Sequence, residues 1–139
     1  MSRKKAFGEF PWPIRIYYED TDAGGIVYHA NYLKFMERAR TEWLRECGFE
    51  QTVLAEHFGV VFVVRKILID YLCPARLNDQ ILVCSSVKRL GHASIEFGQN
   101  ILCADQILSR GEVKVGCLDT ESMRPKRIPP EVYLEISDA

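Results

Sequence analysis

At 139 residues, with 47% hydrophobic and 27% charged side chains, the chain matches one soluble globular domain, long enough to bury a core without disulfide or metal staples. A formal net charge of −1 gives no global pull toward nucleic acid or a membrane surface, and no basic stripe of the kind a nucleic-acid reader carries stands out. No apolar run approaches the ~20 residues that cross a bilayer. The five cysteines (Cys47, Cys73, Cys84, Cys103, Cys117) are scattered without a C-x-x-C pair, which argues against a zinc ribbon or a disulfide framework and for reduced thiols in a cytoplasmic chain.

The first residues, MSRKKAFGEF, are basic but lack the apolar segment of a secretory leader. Residues 1–12 read as a flexible tail ahead of a single domain at 13–139. After PWP (Pro11 to Pro13), Ile14 to Tyr18 alternate as a strand that starts beyond a proline it could not contain. The stretch YYEDTDAGGIVYHANY (Tyr17 to Tyr32) follows, and then a helix over Asn31 to Glu46, with Asn31 as its N-cap and Gly48 as its stop. Tyr32, Phe35, Met36, Ala39, Trp43 and Leu44 fall on one side of that helix and its charges on the other. Gln51 to Phe58 reads as a short second helix ended by Gly59. From Val60 the texture turns β: VVFVVRKILIDYL is closed by Cys73-Pro74, and Ile81 to Leu90, Ala93 to Cys103 and Ile107 to Leu118 follow. Turns as short as Gly91-His92 and Asp105-Gln106 make consecutive strands antiparallel neighbours. The order is therefore strand, helix, then a meander of four strands, an α+β domain whose long helix covers one face of an antiparallel sheet.

The chemistry concentrates in Tyr17 to Tyr32, where Glu19, Asp20 and Asp22 precede Gly24-Gly25 and His29. Asp20-x-Asp22-x-x-Gly25 opens like a calcium loop, but Gly24 stands where a fifth-position oxygen belongs and Asn31 where the bidentate Glu belongs. Neither glycine-rich phosphate signature is present, and three carboxylates would repel a phosphate. The histidines His29, His57 and His92 lie far apart with no ligand spacing, so no metal is expected. Two readings stay open on the residues alone. One is a solvated turn, for which Asp, Thr and Gly are the usual residues. The other is a catalytic corner: the free N–H groups and positive end of a helix start can polarise a carbonyl, with a carboxylate a few residues upstream as base or nucleophile. The apolar Ile26-Val27-Tyr28 inside the loop favours packing over display.

RIYYEDTDAGGIVYHANYLKFMERARTEWL (Arg15 to Leu44) and FVVRKILIDYLCPARLND (Phe62 to Asp79) resemble the acyl-CoA thioesterases of the hotdog fold, in the 4-hydroxybenzoyl-CoA thioesterase group, and within it the YbgC-like branch associated with the Tol–Pal envelope system. The resemblance spans nearly the whole chain past the first dozen residues. It implies an antiparallel sheet curled around the long helix, and a homodimer or homotetramer with active sites between subunits. It also implies hydrolysis of an acyl-CoA thioester without metal or redox cofactor, coenzyme A being part of the substrate. On the matching positions Asp22 is the essential carboxylate, His29 marks the helix start that polarises the carbonyl, and Tyr18 is placed in the same site. Glu19 and Asp20 are then structural or solvent-facing. Ser94 is a candidate for lining the acyl or pantetheine channel of the neighbouring subunit. Lys88, Arg89, Arg124, Lys126 and Arg127 are the cations available to coenzyme A phosphates. Acyl carrier protein is an alternative carrier; a hotdog dehydratase and a non-catalytic adaptor for acyl carrier protein or envelope components are the competing functions.

Overall fold

In the computed structural model, which describes residues 8–138, one antiparallel sheet of five strands carries a long helix on its inner face. The strands are β1 (Phe10–Arg15), β2 (Val60–Tyr71), β3 (Gln80–Leu90), β4 (Ser94–Cys103) and β5 (Gln106–Asp119), in the order β1-β3-β4-β5-β2. The helices are α1 (Asn31–Glu46), the short α2 (Gln51–Val53), which runs on into a wider π-type turn over Leu54–Phe58, and α3 (Pro130–Asp138). No helix of the described residues is long and apolar enough to cross a membrane.

The apolar side expected of α1 is the side that is buried. Tyr32, Phe35, Met36, Ala39, Trp43 and Leu44 meet Ile81, Val83, Ile101 and Val113 from the sheet in one core. Met36 packs tightly on β5 at Gly111, where an added Cβ would stand 2.6 Å from its terminal methyl. The Trp43 indole, whose Nε1 has no hydrogen-bond acceptor among the described residues, lies edge-on to Phe97 at 5.0 Å and 87°, the favoured aromatic arrangement. A buried polar network crosses the same core. Arg40 donates to Gln99 Oε1 at 2.9 Å, and Gln99 Nε2 donates to the Met36 carbonyl and to Ser85 Oγ, both at 2.9 Å.

Three expectations need correcting. The meander has three strands, not four: β3, β4 and β5 are sequential neighbours, but β2 pairs with β5 at the far edge. The segment after β2 is too long and proline-interrupted for a tight turn, and it carries the chain across the sheet to β3. The first strand spans Phe10–Arg15 and contains both Pro11 and Pro13, so the domain reaches back to Phe10 rather than starting at residue 13. β1 is an edge strand with one partner, and the prolines are two residues apart. A ladder carried by Phe10, Trp12 and Ile14 therefore loses no bond, because both missing N–H groups point away from β3. Of the tail expected over residues 1–12, residues 1–7 lie outside the described residues. Lastly, Asn31 is not the N-cap. α1 starts at Asn31 itself, and its side-chain amide donates to the Asp20 carbonyl at 2.9 Å.

α3 was not anticipated. Pro130 takes the first helical position, where its missing N–H costs nothing, and Val132 and Ile136, four apart, enter the core.

Candidate active site

The acidic stretch is folded into a compact corner at the end of the sheet where β2 finishes and α1 begins. Tyr18–Asp20 form one 3-10 turn, and Thr21 then bridges Val27 as an isolated antiparallel pair. Inside that bridge Asp22 donates its N–H to the Ile26 carbonyl at 2.8 Å and accepts from Gly25 N at 3.0 Å, so residues 22–26 close a tight loop. Gly25 has φ 81, a left-handed conformation that L side chains rarely adopt. Val27 is buried and its N–H donates to the Ala75 carbonyl at 2.9 Å, so the apolar centre of the loop packs down instead of being displayed.

The three carboxylates now separate. Asp20 is architectural: its Oδ2 accepts from Tyr17 N at 2.9 Å, and its carbonyl accepts from Tyr28 N at 3.0 Å and Asn31 Nδ2 at 2.9 Å. Glu19 is exposed. Asp22 is exposed and accepts one internal bond at Oδ1, from Gly24 N at 2.8 Å, which fixes the carboxylate and leaves Oδ2 open. The hairpin register sets Asp20 opposite Tyr28, Thr21 opposite Val27 and Asp22 opposite Ile26, and the chain then runs on through Tyr28 into the residues that lead into α1. There the backbone N–H groups of His29 and Ala30 have no acceptor among the described residues, whereas those of Val27, Tyr28, Asn31 and Tyr32 all have one. Two free donors at a helix start can bind a developing oxyanion, and a fixed carboxylate on the loop that precedes them can serve the attack.

The imidazole of His29 is exposed and framed by tyrosines. Tyr28 lies 4.6 Å away, and Tyr71, the last residue of β2, meets it edge-on at 6.0 Å and 87°. A mostly apolar cleft of about 260 Å³ opens beside it, lined by Ile26, His29, Tyr32, Tyr71, Cys73 and Pro74. Tyr18, in the 3-10 turn, is 82% exposed, and the rings that contact His29 among the described residues are those of Tyr28 and Tyr71. Tyr71 was out of reach of sequence reasoning, because it arrives from a strand 42 residues further along.

Ser94, Lys126 and Arg127 gather toward the opposite end of the sheet, whereas Lys88 and Arg89 lie partway along it, level with Leu68 and Lys66 across β4 and β5. Ser94 opens β4, half-buried, its carbonyl accepting from Gly91 N at 2.8 Å. Lys88 lies across Gly98, and Arg89 reaches Glu96 at 4.0 Å. Lys126 pairs with Asp119 at 3.4 Å. Lys126 and Arg127 rim an apolar groove of about 850 Å³ formed with Phe58, His92, Tyr133 and Leu134. Ser94 is level with Val63 across β5. Within one chain it is separated from the Tyr71 corner by roughly 26 Å of strand, at about 3.3 Å per residue.

This architecture is that of a known family. The model of the thioesterase superfamily, 4HBT, matches residues 24–109. The acyl-CoA thioesterase YbgC of Haemophilus influenzae is 47% identical over 123 residues, covering 88% of this chain and 90% of that one. The acyl-CoA thioester hydrolase YbgC of Escherichia coli O157:H7 is 45% identical over 128 residues, 91% of this chain and 94% of that one. Among solved structures, a probable thioesterase from Bartonella henselae superposes with a TM-score of 0.84 at 35% identity, covering 88% of this chain and all of its own. The chain belongs to the thioesterase superfamily, in its YbgC branch, and its sheet and helix are the hotdog fold of that family.

Proposed function

We propose that the protein hydrolyses acyl-CoA thioesters to a free carboxylic acid and coenzyme A. The observation that carries this reading is that one short segment holds both Asp22, fixed by Gly24 N and open at Oδ2, and the N–H groups of His29 and Ala30, which have no acceptor among the described residues. The names of the YbgC relatives support the substrate class. The thioester oxygen lies against the helix start, which draws charge from the carbonyl carbon. Asp22 then either takes a proton from an attacking water or attacks as nucleophile to give a mixed anhydride that water opens. In either case the carbon–sulfur bond breaks, and the thiolate leaves with coenzyme A. A thioester has little resonance to lose, so a positioned carboxylate and one or two donors suffice. Residues of this chain carry every step; neither a metal nor a redox cofactor is required.

The separation of the two residue groups supports a dimer. β2 is an open edge with Val64, Leu68 and Tyr71 exposed on it. A second copy pairing antiparallel along β2 would bring its Ser94, Lys126 and Arg127 end toward this chain's Asp22 corner, offering cations to the coenzyme A phosphates. The test is release of free thiol from short, long and aromatic acyl groups, each on coenzyme A and on acyl carrier protein, with Asp22→Asn beside wild type. Asp22→Asn is expected to lose at least 100-fold in kcat with its fold intact, in the range of removing a principal catalytic group. Undiminished release from that variant would sink the assignment of Asp22. No release from any thioester would favour the adaptor reading.

A further inference from the structure

Tyr71 closes β2, and in the sequence it is the last aromatic residue of an edge strand with nothing to mark it. In the fold its hydroxyl donates to the His29 carbonyl at 3.0 Å. Its ring also packs on Tyr32 at 5.4 Å and 60°. The Tyr32 hydroxyl in turn accepts from Ala75 N at 2.9 Å, and the Ala75 carbonyl accepts from Val27 N at 2.9 Å. These contacts form a closed loop around the residues that lead into α1, and Tyr71 is the member that touches the backbone of His29 directly.

The carbonyl of His29 and the N–H of Ala30 belong to one planar trans peptide and point in opposite directions. Whatever fixes one end of that unit aims the other. Among the described residues, the only other hydrogen bond to the His29 carbonyl comes from Tyr32 N at 3.3 Å, long for such a bond, so the hydroxyl of Tyr71 is the better holder of this plane. A donor on the carbonyl also polarises the peptide and strengthens its N–H as a donor.

We propose that Tyr71 is a positioning residue for thioester hydrolysis, its hydroxyl holding the His29–Ala30 peptide so that Ala30 N–H faces the thioester oxygen. This rests on the hydrolytic reading of the Asp22 corner. Tyr71 touches neither the reacting carbon nor the proton in flight; it acts through the peptide it orients. Partial burial pushes its phenol above the ordinary tyrosine range, so the hydroxyl keeps its proton to donate at neutral pH.

The test uses Tyr71→Phe, which keeps the ring contacts with His29 and Tyr32 and removes only the hydroxyl. A misaimed oxyanion donor should cost less than the 100-fold or more of a deleted one, so kcat is expected to fall roughly 10-fold with KM within about twofold, because the lost interaction acts in the transition state. A purely structural role would lower the melting temperature and leave that split unmoved. A readout independent of turnover is the Ala30 amide resonance in a nitrogen–proton correlation spectrum, which should shift in Tyr71→Phe while the β3 and β4 amides stay in place. An unmoved Ala30 amide overturns the proposal whatever the activity. So does wild-type kcat in Tyr71→Phe when Asp22→Asn is inactive, and that result leaves the hydrolytic reading standing. Undiminished thiol release from Asp22→Asn instead defeats the hydrolytic reading and this proposal with it.

Discussion

Gln99→Met tests how far the core depends on its one buried amide. Gln99 is fully buried, accepts from Arg40 Nη1, and donates to Ser85 Oγ and the Met36 carbonyl, each at 2.9 Å. Methionine is unbranched and adaptable, so the volume is nearly kept while all three bonds go. The Met36 carbonyl retains its place inside α1. Ser85 is fully buried and its hydroxyl is stranded, at a cost of about 1–3 kcal/mol. Arg40 loses a charge-assisted bond of about 1.5–3 kcal/mol, held to the lower end because the side chain lines a cleft beside Thr41 and Phe62 through which it can reach water. The expected loss is about 3 kcal/mol. At roughly 2.1 cal/mol/K of unfolding entropy per residue over 139 residues, that is a fall of about 10 °C in melting temperature. Urea unfolding followed by circular dichroism measures it. Adding Ser85→Ala removes the stranded hydroxyl, so the double variant should recover about 1 kcal/mol relative to the sum of the single changes. A Gln99→Met protein within 1 kcal/mol of wild type, or a strictly additive double variant, would refute the reasoning.

Two further outcomes follow from local geometry. A Cβ added at Gly24 would stand 3.2 Å from Asp22 Oδ1, so Gly24→Ala should displace the carboxylate by a few tenths of an ångström; kcat is expected to fall roughly 3- to 10-fold with an unchanged melting temperature, and full activity would show that the Gly24 bond does not set the position of Asp22. Burial pushes the Cys117 thiol up to about 11 from an ordinary 9.0. The fold therefore favours the neutral thiol, and that contribution is complete below pH 9 and lost as pH rises toward 11, amounting to roughly 2–3 kcal/mol. Urea midpoints for wild type and Cys117→Ala across that window should converge as pH rises, and parallel curves would rule the thiol out as the source.

How much of this was legible from sequence depended on whether a signal was local. α1 was, because a 3.6-residue period names its buried side chains directly, and all six proved buried. β3, β4 and β5 were, because short turns leave sequential strands no other partner. The pairing of β2 with β5 was not, since nothing in either strand states which edge it joins. In the site, the failed calcium spacing and the adjoining helix start left two readings open, a carbonyl-polarising corner and a solvated turn, and the family resemblance then singled out Asp22. What no local pattern encodes is the bond from Tyr71 to His29, made across the sheet after both strands and helix are in place.

The prolines that hid β1 settle a second question about the sheet. Pro11 and Pro13 leave the outer side of that edge without two of its N–H donors, so another strand gains little by pairing there. β2, at the other edge, runs 12 residues without a proline and exposes Val64, Leu68 and Tyr71. The two edges are thus unequal by sequence, and the proposed second copy would pair along the strand that ends in Tyr71. The edge open to pairing is the one whose last residue donates to the His29 carbonyl, so the proposed pairing along β2 and the proposed aim of the Ala30 N–H would depend on the same strand.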